Sequence, residues 1–346
     1  MPRETKVGRD GDELDDPHEY PVPDRLGPVG QFVEHDFHHF NSATVKEACR
    51  AYVQFLDQGG QMFLAMAGAM STGELGISLA EMIRQGKISG ISCTGANLEE
   101  DVFNLVGYDH YERFSDYDEM TPEEDEALAD RGVMRITDTG VTEEAMKLVE
   151  DLVFPEWQAA HDSGTPEFIH EILFKILRSG KLAPHYEADP ENSWMLAAAE
   201  ADLPVFVPGE EDSTLGQVFI AQCLEGTFKT TDMKNGFDYG VALGDWYLET
   251  TKASDLGFFQ IGGGIAGDFS ICIAPVLRLD LKLKQTRKWQ YFCQINDGHD
   301  SCGGYSAAKP TEKRSWTKLP ADCPAFNLFG DASYLAPLVF RYVLGH

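Results

Sequence analysis

Positive charge is scarce in this chain of 346 residues. Lys and Arg number 28 against 57 Asp and Glu, a formal net charge of -29. A surface of that sign repels nucleic acid and anionic membranes, and no basic stripe offers either one a footprint. It attracts cations, polyamines included. Paired cysteine is also missing. The seven cysteines (Cys49, Cys93, Cys223, Cys272, Cys293, Cys302 and Cys323) are scattered and never spaced C-x-x-C. That argues against a disulfide framework and a structural zinc site. No run reaches eighteen apolar residues, so no membrane-spanning helix is expected. No apolar stretch follows a basic region near the N-terminus, so no signal peptide is expected and the expected location is cytoplasmic. The G-x-G-x-x-G fingerprint and any fixed-period repeat are absent. His299 is one histidine in an acidic loop between Asp297 and Asp300, and no metal is expected.

What is present is an alternation. A 43% hydrophobic content suits a globular chain with a sizeable core. Residues 1–30 are rich in Pro, Gly and acid and read as a flexible or loosely docked arm. Asn41 or Ser42 is the expected cap of a helix to Asp57, ended by Gly59-Gly60. Strands are expected over 61–66, 88–96, 204–207, 256–261, 291–295 and 325–328. Helices are expected over 75–84, from Leu98, from Thr142, over 166–178, 192–200, 215–224 and 271–279. Residues 109–135 hold eight carboxylates between Asp116 and Asp130 and read as a solvated connection. Apolar strand, small-residue turn, then helix is the pattern of a parallel sheet covered on both faces. No Pro/Gly/Ser linker divides residues 190–346, so 31–346 is expected to form one α/β catalytic domain.

In such sheets ligands sit beyond the carboxyl ends of the strands, against helix N-termini with free amides. Four segments place small or acidic residues there: Ala67-Gly68-Ala69, Thr94-Gly95-Ala96, Glu211-Asp212-Ser213 and Gly262-Gly263-Gly264. Glycine relieves strain in tight turns as well as admitting phosphate, so each segment alone leaves both readings open. Near the C-terminus comes the run Glu312-Lys313-Arg314-Ser315-Trp316-Thr317-Lys318, after Gly303-Gly304. A lysine beside an indole has the parts to hold a carbon chain as an imine. Its amine attacks only when neutral, which requires desolvation or neighbouring cations.

Together these motifs resemble the deoxyhypusine synthase family, in its bacterial, homospermidine synthase-like branch. The resemblance runs from about Phe40 to Leu344. It rests on Cys93-Thr94-Gly95-Ala96-Asn97-Leu98-Glu99-Glu100-Asp101, Pro204-Val205-Phe206, Gly262-Gly263-Gly264, Ser315-Trp316-Thr317-Lys318 and Gly330-Asp331-Ala332-Ser333. It implies a Rossmann-like α/β fold, NAD as cofactor, polyamine substrates and a homotetramer with sites at subunit interfaces. It implies that NAD oxidises an amine donor, that a lysine carries the aminobutyl group as an imine, and that an acceptor amine takes it. Lys318 falls on the covalent-lysine position, Trp316 on the pocket indole and Glu312 on a polyamine-binding carboxylate. Thr94, Gly95, Ala96, Glu100, Asp212, Gly263, Asp331 and Ala332 fall on nucleotide-binding segments, with Gly68 and Thr72 beside them.

The departures concern substrate. Gly68-Ala69 stands where the family has Ser-Asn against the dinucleotide. Gln217 and Tyr305 replace amine-binding aspartates, and Asp268 replaces a pocket histidine. The working expectation is an NAD-dependent aminobutyl transferase on small polyamines. The alternatives are deoxyhypusine synthesis on a protein lysine, and a non-catalytic NAD- or polyamine-binding protein.

Overall fold

The computed structural model describes residues 20–299 and 308–346. Among the described residues the first elements are α1 (Pro28–Asp36) and α2 (Phe40–Asp57), then β1 (Gln61–Met66), α3 (Gly76–Arg84), β2 (Gly90–Cys93) and α4 (Gly95–Gly107). A small excursion follows: β3 (Glu112–Arg113), α5 (Pro122–Asp130), β4 (Val133–Ile136) and β5 (Thr139–Thr142). Helices α6 (Glu143–Ser163), α7 (Ile169–Ser179) and α8 (Trp194–Ala201) lead to β6 (Val205–Phe206). Then come α9 (Thr214–Glu225), α10 (Gly236–Ala253), β7 (Leu256–Ile261), α11 (Gly264–Ile271) and the short α12 (Ile273–Pro275). The last elements are β8 (Tyr291–Asn296), α13 (Pro310–Ser315), β9 (Ala325–Phe329) and α14 (Ala332–Leu344).

Six strands form one sheet in the order β6-β2-β1-β7-β8-β9, every pair parallel. The chain walks outward from β1 to β6, then restarts at β7 on the other side of β1. That is the doubly wound order, with its switch point between β1 and β7. All six expected strands are there. β1 and β7 are almost entirely buried, as apolar strands flanked on both faces must be. On one face Phe63, Phe258 and Trp289 pack with Trp246 and Tyr247 of α10. On the other, Phe259 and Tyr291 meet Tyr52 of α2, and Phe259 meets Phe340 of α14. Truncating a ring this central, Phe258 to Ala, costs about 3–5 kcal/mol.

Four expectations need correction. Helix α2 starts at Phe40 after His39, so neither Asn41 nor Ser42 is its cap. Residues 109–135 are not a plain connection: β3, β5 and β4 make an antiparallel sheet, with α5 beside it. The acids there have structural partners. Thr121 and Glu124 form a capping box on α5, and Asp125 takes a two-pronged bond from Arg135 of β4. Helix α4 begins at Gly95 rather than Leu98, because the Thr94 side chain caps it by accepting from the Asn97 amide. The expected helix over 271–279 begins earlier, at Gly264, and passes through α12 into a π-helical turn at Val276–Asp280. Within residues 20–30, Tyr20 packs on Phe326 and Gly27 donates to the Gly345 carbonyl.

Candidate active site

Two turns face each other across the switch point. Gly262-Gly263-Gly264 leaves β7, with Gly262 at φ +69° and Gly264 at φ +66°, a region costly for any residue with a Cβ. The other turn, after β1, contains Gly68. Asn97 of α4 holds it, its Nδ2 donating to the Met66, Ala67 and Gly68 carbonyls at 3.2, 3.2 and 2.8 Å. Thr94 Oγ1 adds a bond to the Gly68 carbonyl at 2.8 Å. A Cβ on Gly68 would meet nothing within 4 Å, so this turn faces open space. Gly95 lies tight against the loop after β6: a Cβ there would come within 2.6 Å of Ser213 Cβ.

Three successive buried carboxylates follow on α4. Glu99 accepts from the Thr214 and Leu215 amides at 2.6 and 2.8 Å, anchoring the α9 N-terminus. Asp101 accepts from Ser193 Oγ at 2.5 Å and the Met195 amide at 3.0 Å, anchoring α8. Both sit at helix N-termini, where the dipole and unpaired amides favour a negative charge, against burial that pushes Glu99 up and Asp101 up to about 6. Glu100 between them caps no helix. It accepts one bond, from Thr72 Oγ1 at 3.0 Å, and burial pushes its pKa up to about 7. Of the three, the position expected to bind nucleotide is thus the one without a helix to hold. Asp331 accepts from the Ser333 amide at 2.8 Å and caps α14 just past β9, with Ala332 next to it. Asp212 and Gln217 lie exposed, before and within α9.

The candidate lysine, Lys318, is placed by a sharp reversal. Helix α13 ends when the Lys318 amide donates to the Lys313 carbonyl at 3.1 Å, with Thr317 at φ +59° between them. This is the left-handed closure usually given to glycine. A β-branched residue there is strained by about 1 kcal/mol or more. The reversal turns Lys318 inward: it is 8% exposed, and its Nζ lies 3.4 Å from Asp268 Oδ1 on α11. Asp268 thus lies beside Lys318, and its ion-pair partner in the free chain is that lysine. Trp316 points away, 61% exposed, and Glu312 is exposed too. Tyr305 lies outside the described residues. Among the described residues no group of three or more His, Cys, Asp and Glu is arranged to hold a metal.

Sequence reasoning passed over several residues. Lys313 is 4% exposed, with its Nζ 5.0 Å from the centre of the Phe292 ring. Burial, then the charge of Lys318, pushes its pKa down. Gln260 and Gln294 are buried polar residues inside otherwise apolar strands, and that interruption was the visible signal. Asn97 was visible only as part of a motif; its role as a clamp needed the fold.

A parallel sheet wound both ways, with small-residue turns and helix N-termini at its switch point, defines a doubly wound α/β protein, an architecture whose ligands sit in that crevice. Comparison narrows this. The pattern of the family described as deoxyhypusine synthase matches residues 34–343, and the chain belongs to that family. A "Deoxyhypusine synthase-like protein" of Cyanothece sp. is 29% identical over 332 residues, covering 94% of this chain and 80% of that one. A "Probable deoxyhypusine synthase 1" of Archaeoglobus fulgidus is 28% identical, covering 88% and 90%. A solved structure assigned as a deoxyhypusine synthase of Entamoeba histolytica shares the fold, with TM-score 0.54 at 12% identity, covering 91% and 90%. The chemistry of the family is NAD-dependent aminobutyl transfer. No helix among the described residues is long and apolar enough to cross a membrane.

Proposed function

We propose that this chain is an NAD-dependent aminobutyl transferase acting on small polyamines in the manner of homospermidine synthases, through an imine on Lys318. The observation that carries this reading is the inward-turned Lys318, 3.4 Å from the Asp268 carboxylate and nearly closed to solvent. Lys318 is the nucleophile. Asp268 is placed to take its proton as the C–N bond forms, and to hold a substrate ammonium once the lysine is engaged. Glu312, Trp316, Gln217 and Tyr305 are assigned to the amine, and Trp316 needs a partner surface to become a dry wall.

The switch point suits NAD. The turn at Gly68 opens onto space, the α4 N-terminus at Thr94-Gly95-Ala96 faces the crevice end of β2, and Glu100 caps no helix. Gly68, Thr72, Thr94, Gly95, Ala96, Glu100, Asp212, Gly263, Asp331 and Ala332 are the residues we assign to it. Bound by these residues, NAD would supply a hydride acceptor for the donor amine, and its reduced form a hydride donor for the product imine. We assign residues 31–346 to one catalytic unit, a cytoplasmic setting and a homotetramer whose interfaces complete the sites. Exposed Trp316, Phe329, Tyr334, Ile265, Phe237 and Val241 support burial by another copy.

The test is mass spectrometry of the protein incubated with NAD and putrescine or spermidine, then reduced with borohydride. An adduct of the aminobutyl mass on Lys318 is expected. NADH accumulating in proportion to amine consumed, with no adduct, would mark a simple amine dehydrogenase and overturn the reading.

A further inference from the structure

The sheet face that carries the Lys318 site also carries a row of carboxamides. Gln260 of β7, Gln294 of β8 and Asn327 of β9 are register partners across three adjacent parallel strands. Register partners share a face. This one is the face of Phe258 and Phe292, two residues earlier on β7 and β8, where Lys313 lies over the Phe292 ring. A carboxamide in the middle of a buried strand is costly unless its hydrogen bonds are made.

Only part of that requirement is met. Nε2 of Gln260 and Nε2 of Gln294 both donate to the Gly262 carbonyl, at 2.9 and 3.2 Å. That bond also settles which end of Gln260 is oxygen, since flipping it would set two oxygens face to face. Its Oε1 then has no hydrogen-bond partner among the described residues, although Gln260 is 1% exposed. The same holds for Asn327 Oδ1 and for Asp268 Oδ2. Helix α11 rests directly on the Gln260 carboxamide: a Cβ on Gly267 would lie 2.6 Å from its Nε2 and 3.1 Å from its Oε1. Asp268 is the next residue along that helix.

We infer that Gln260 and Asn327 are specificity-determining residues, forming with Asp268 Oδ2 a row of acceptors, spread over two strand spacings (about 10 Å), for the N–H groups of the amine substrate. This rests on the amine-transfer reading above. An ammonium or amine end brings N–H donors, and the unpartnered atoms here are mainly acceptors. An anionic group would meet three oxygens. The local charge explains why amides are used. Lys313 and Lys318 already flank one carboxylate, and a neutral oxygen holds an N–H without burying another charge. These oxygens are closed to solvent in the free chain. So is Lys318, whose side chain is 10% exposed.

The test is calorimetric titration of the full-length, NAD-loaded protein with putrescine and with spermidine, with borohydride trapping in parallel. Gln260→Met keeps the volume and removes the acceptor, together with an N–H bond to the Gly262 carbonyl that Gln294 also makes. Asn327→Leu removes an acceptor, and Asn327→Asp adds a charge at constant shape. Gln260→Met and Asn327→Leu are expected to weaken amine binding at least tenfold, and Asn327→Asp to tighten it several-fold. NAD affinity stays within twofold in all three, and the adduct still forms at saturating amine. Unchanged amine affinity in all three variants overturns the subsite. So does an NAD affinity that falls in step with amine affinity, since that marks a merely structural role. If Asn327→Leu does not fold, Asn327→Asp decides alone. Wild-type protein that binds no amine overturns the transfer reading itself, and the subsite with it.

Discussion

Glu210 makes the stability of this protein depend on pH in an unusual direction. It lies between β6 and α9, 6% exposed, and its Oε2 has no hydrogen-bond partner among the described residues. The backbone there is pinned. Ser213 Oγ donates to the Glu210 carbonyl at 2.8 Å, and a Cβ on Gly216 would lie 2.3 Å from that same oxygen. The adjoining cavity is about 10 Å³, room for one water at most. Burial, then the charges of Glu211 and Asp238, pushes the carboxyl from its ordinary 4.5 up to about 8. A carboxyl whose pKa is raised on folding binds its proton more tightly in the folded state. Its contribution to stability is complete below the unfolded pKa and is lost as pH rises through the folded one. Between pH 5.5 and pH 8 the loss is roughly two pKa units, or roughly 3 kcal/mol. Glu210→Gln removes this titration while keeping shape. Urea denaturation of both proteins at fixed concentration, at four pH values across that window, reads the effect. The stability gap should shift by about 3 kcal/mol in favour of the Gln variant as pH rises. A gap independent of pH would refute the argument, whatever its size.

Other outcomes follow from the same structure. Lys318→Ala and Lys318→Arg should both lose the borohydride-trapped adduct, since a guanidinium stays protonated and forms no imine, while NAD still binds; an undiminished adduct in either would remove Lys318 from the chemistry. Asp268→Asn should weaken amine binding by roughly 2–5 kcal/mol, by leaving a buried charge unpaired, with little change for NAD; titration calorimetry decides it. Thr317→Gly should raise the melting temperature by releasing about 1 kcal/mol of left-handed strain, and an unchanged or lower value in a thermal scan would show that the turn is relaxed. Sedimentation should find a homotetramer, and a monomer active at high dilution would contradict shared sites.

The alternation of apolar strands, small-residue turns and helices determined by itself a parallel sheet covered on both faces, because strands buried on both faces must be apolar and their ends must turn tightly; the doubly wound strand order came from the tertiary structure. Lys318 and the segment after β2 stood out in the sequence as contiguous runs of residue types, but contiguity did not show which members gather: Lys318 turns inward while Trp316 and Glu312 of the same run stay exposed. The acidic stretch over 109–135 misled because the ion pair from Arg135 to Asp125 and the pairing of β3 with β5 join residues that charge composition cannot distinguish from solvated ones. Only the tertiary structure separated Glu99 and Asp101, spent on the N-termini of α9 and α8, from Glu100, which is not. Their neighbours lie some 90 to 115 residues away along the chain, and no local pattern encodes them. The same holds for Asp268 against Lys318, and for Gln260 beside Asn327's strand: sheet register and the approach of α11 set those distances, and both are products of packing.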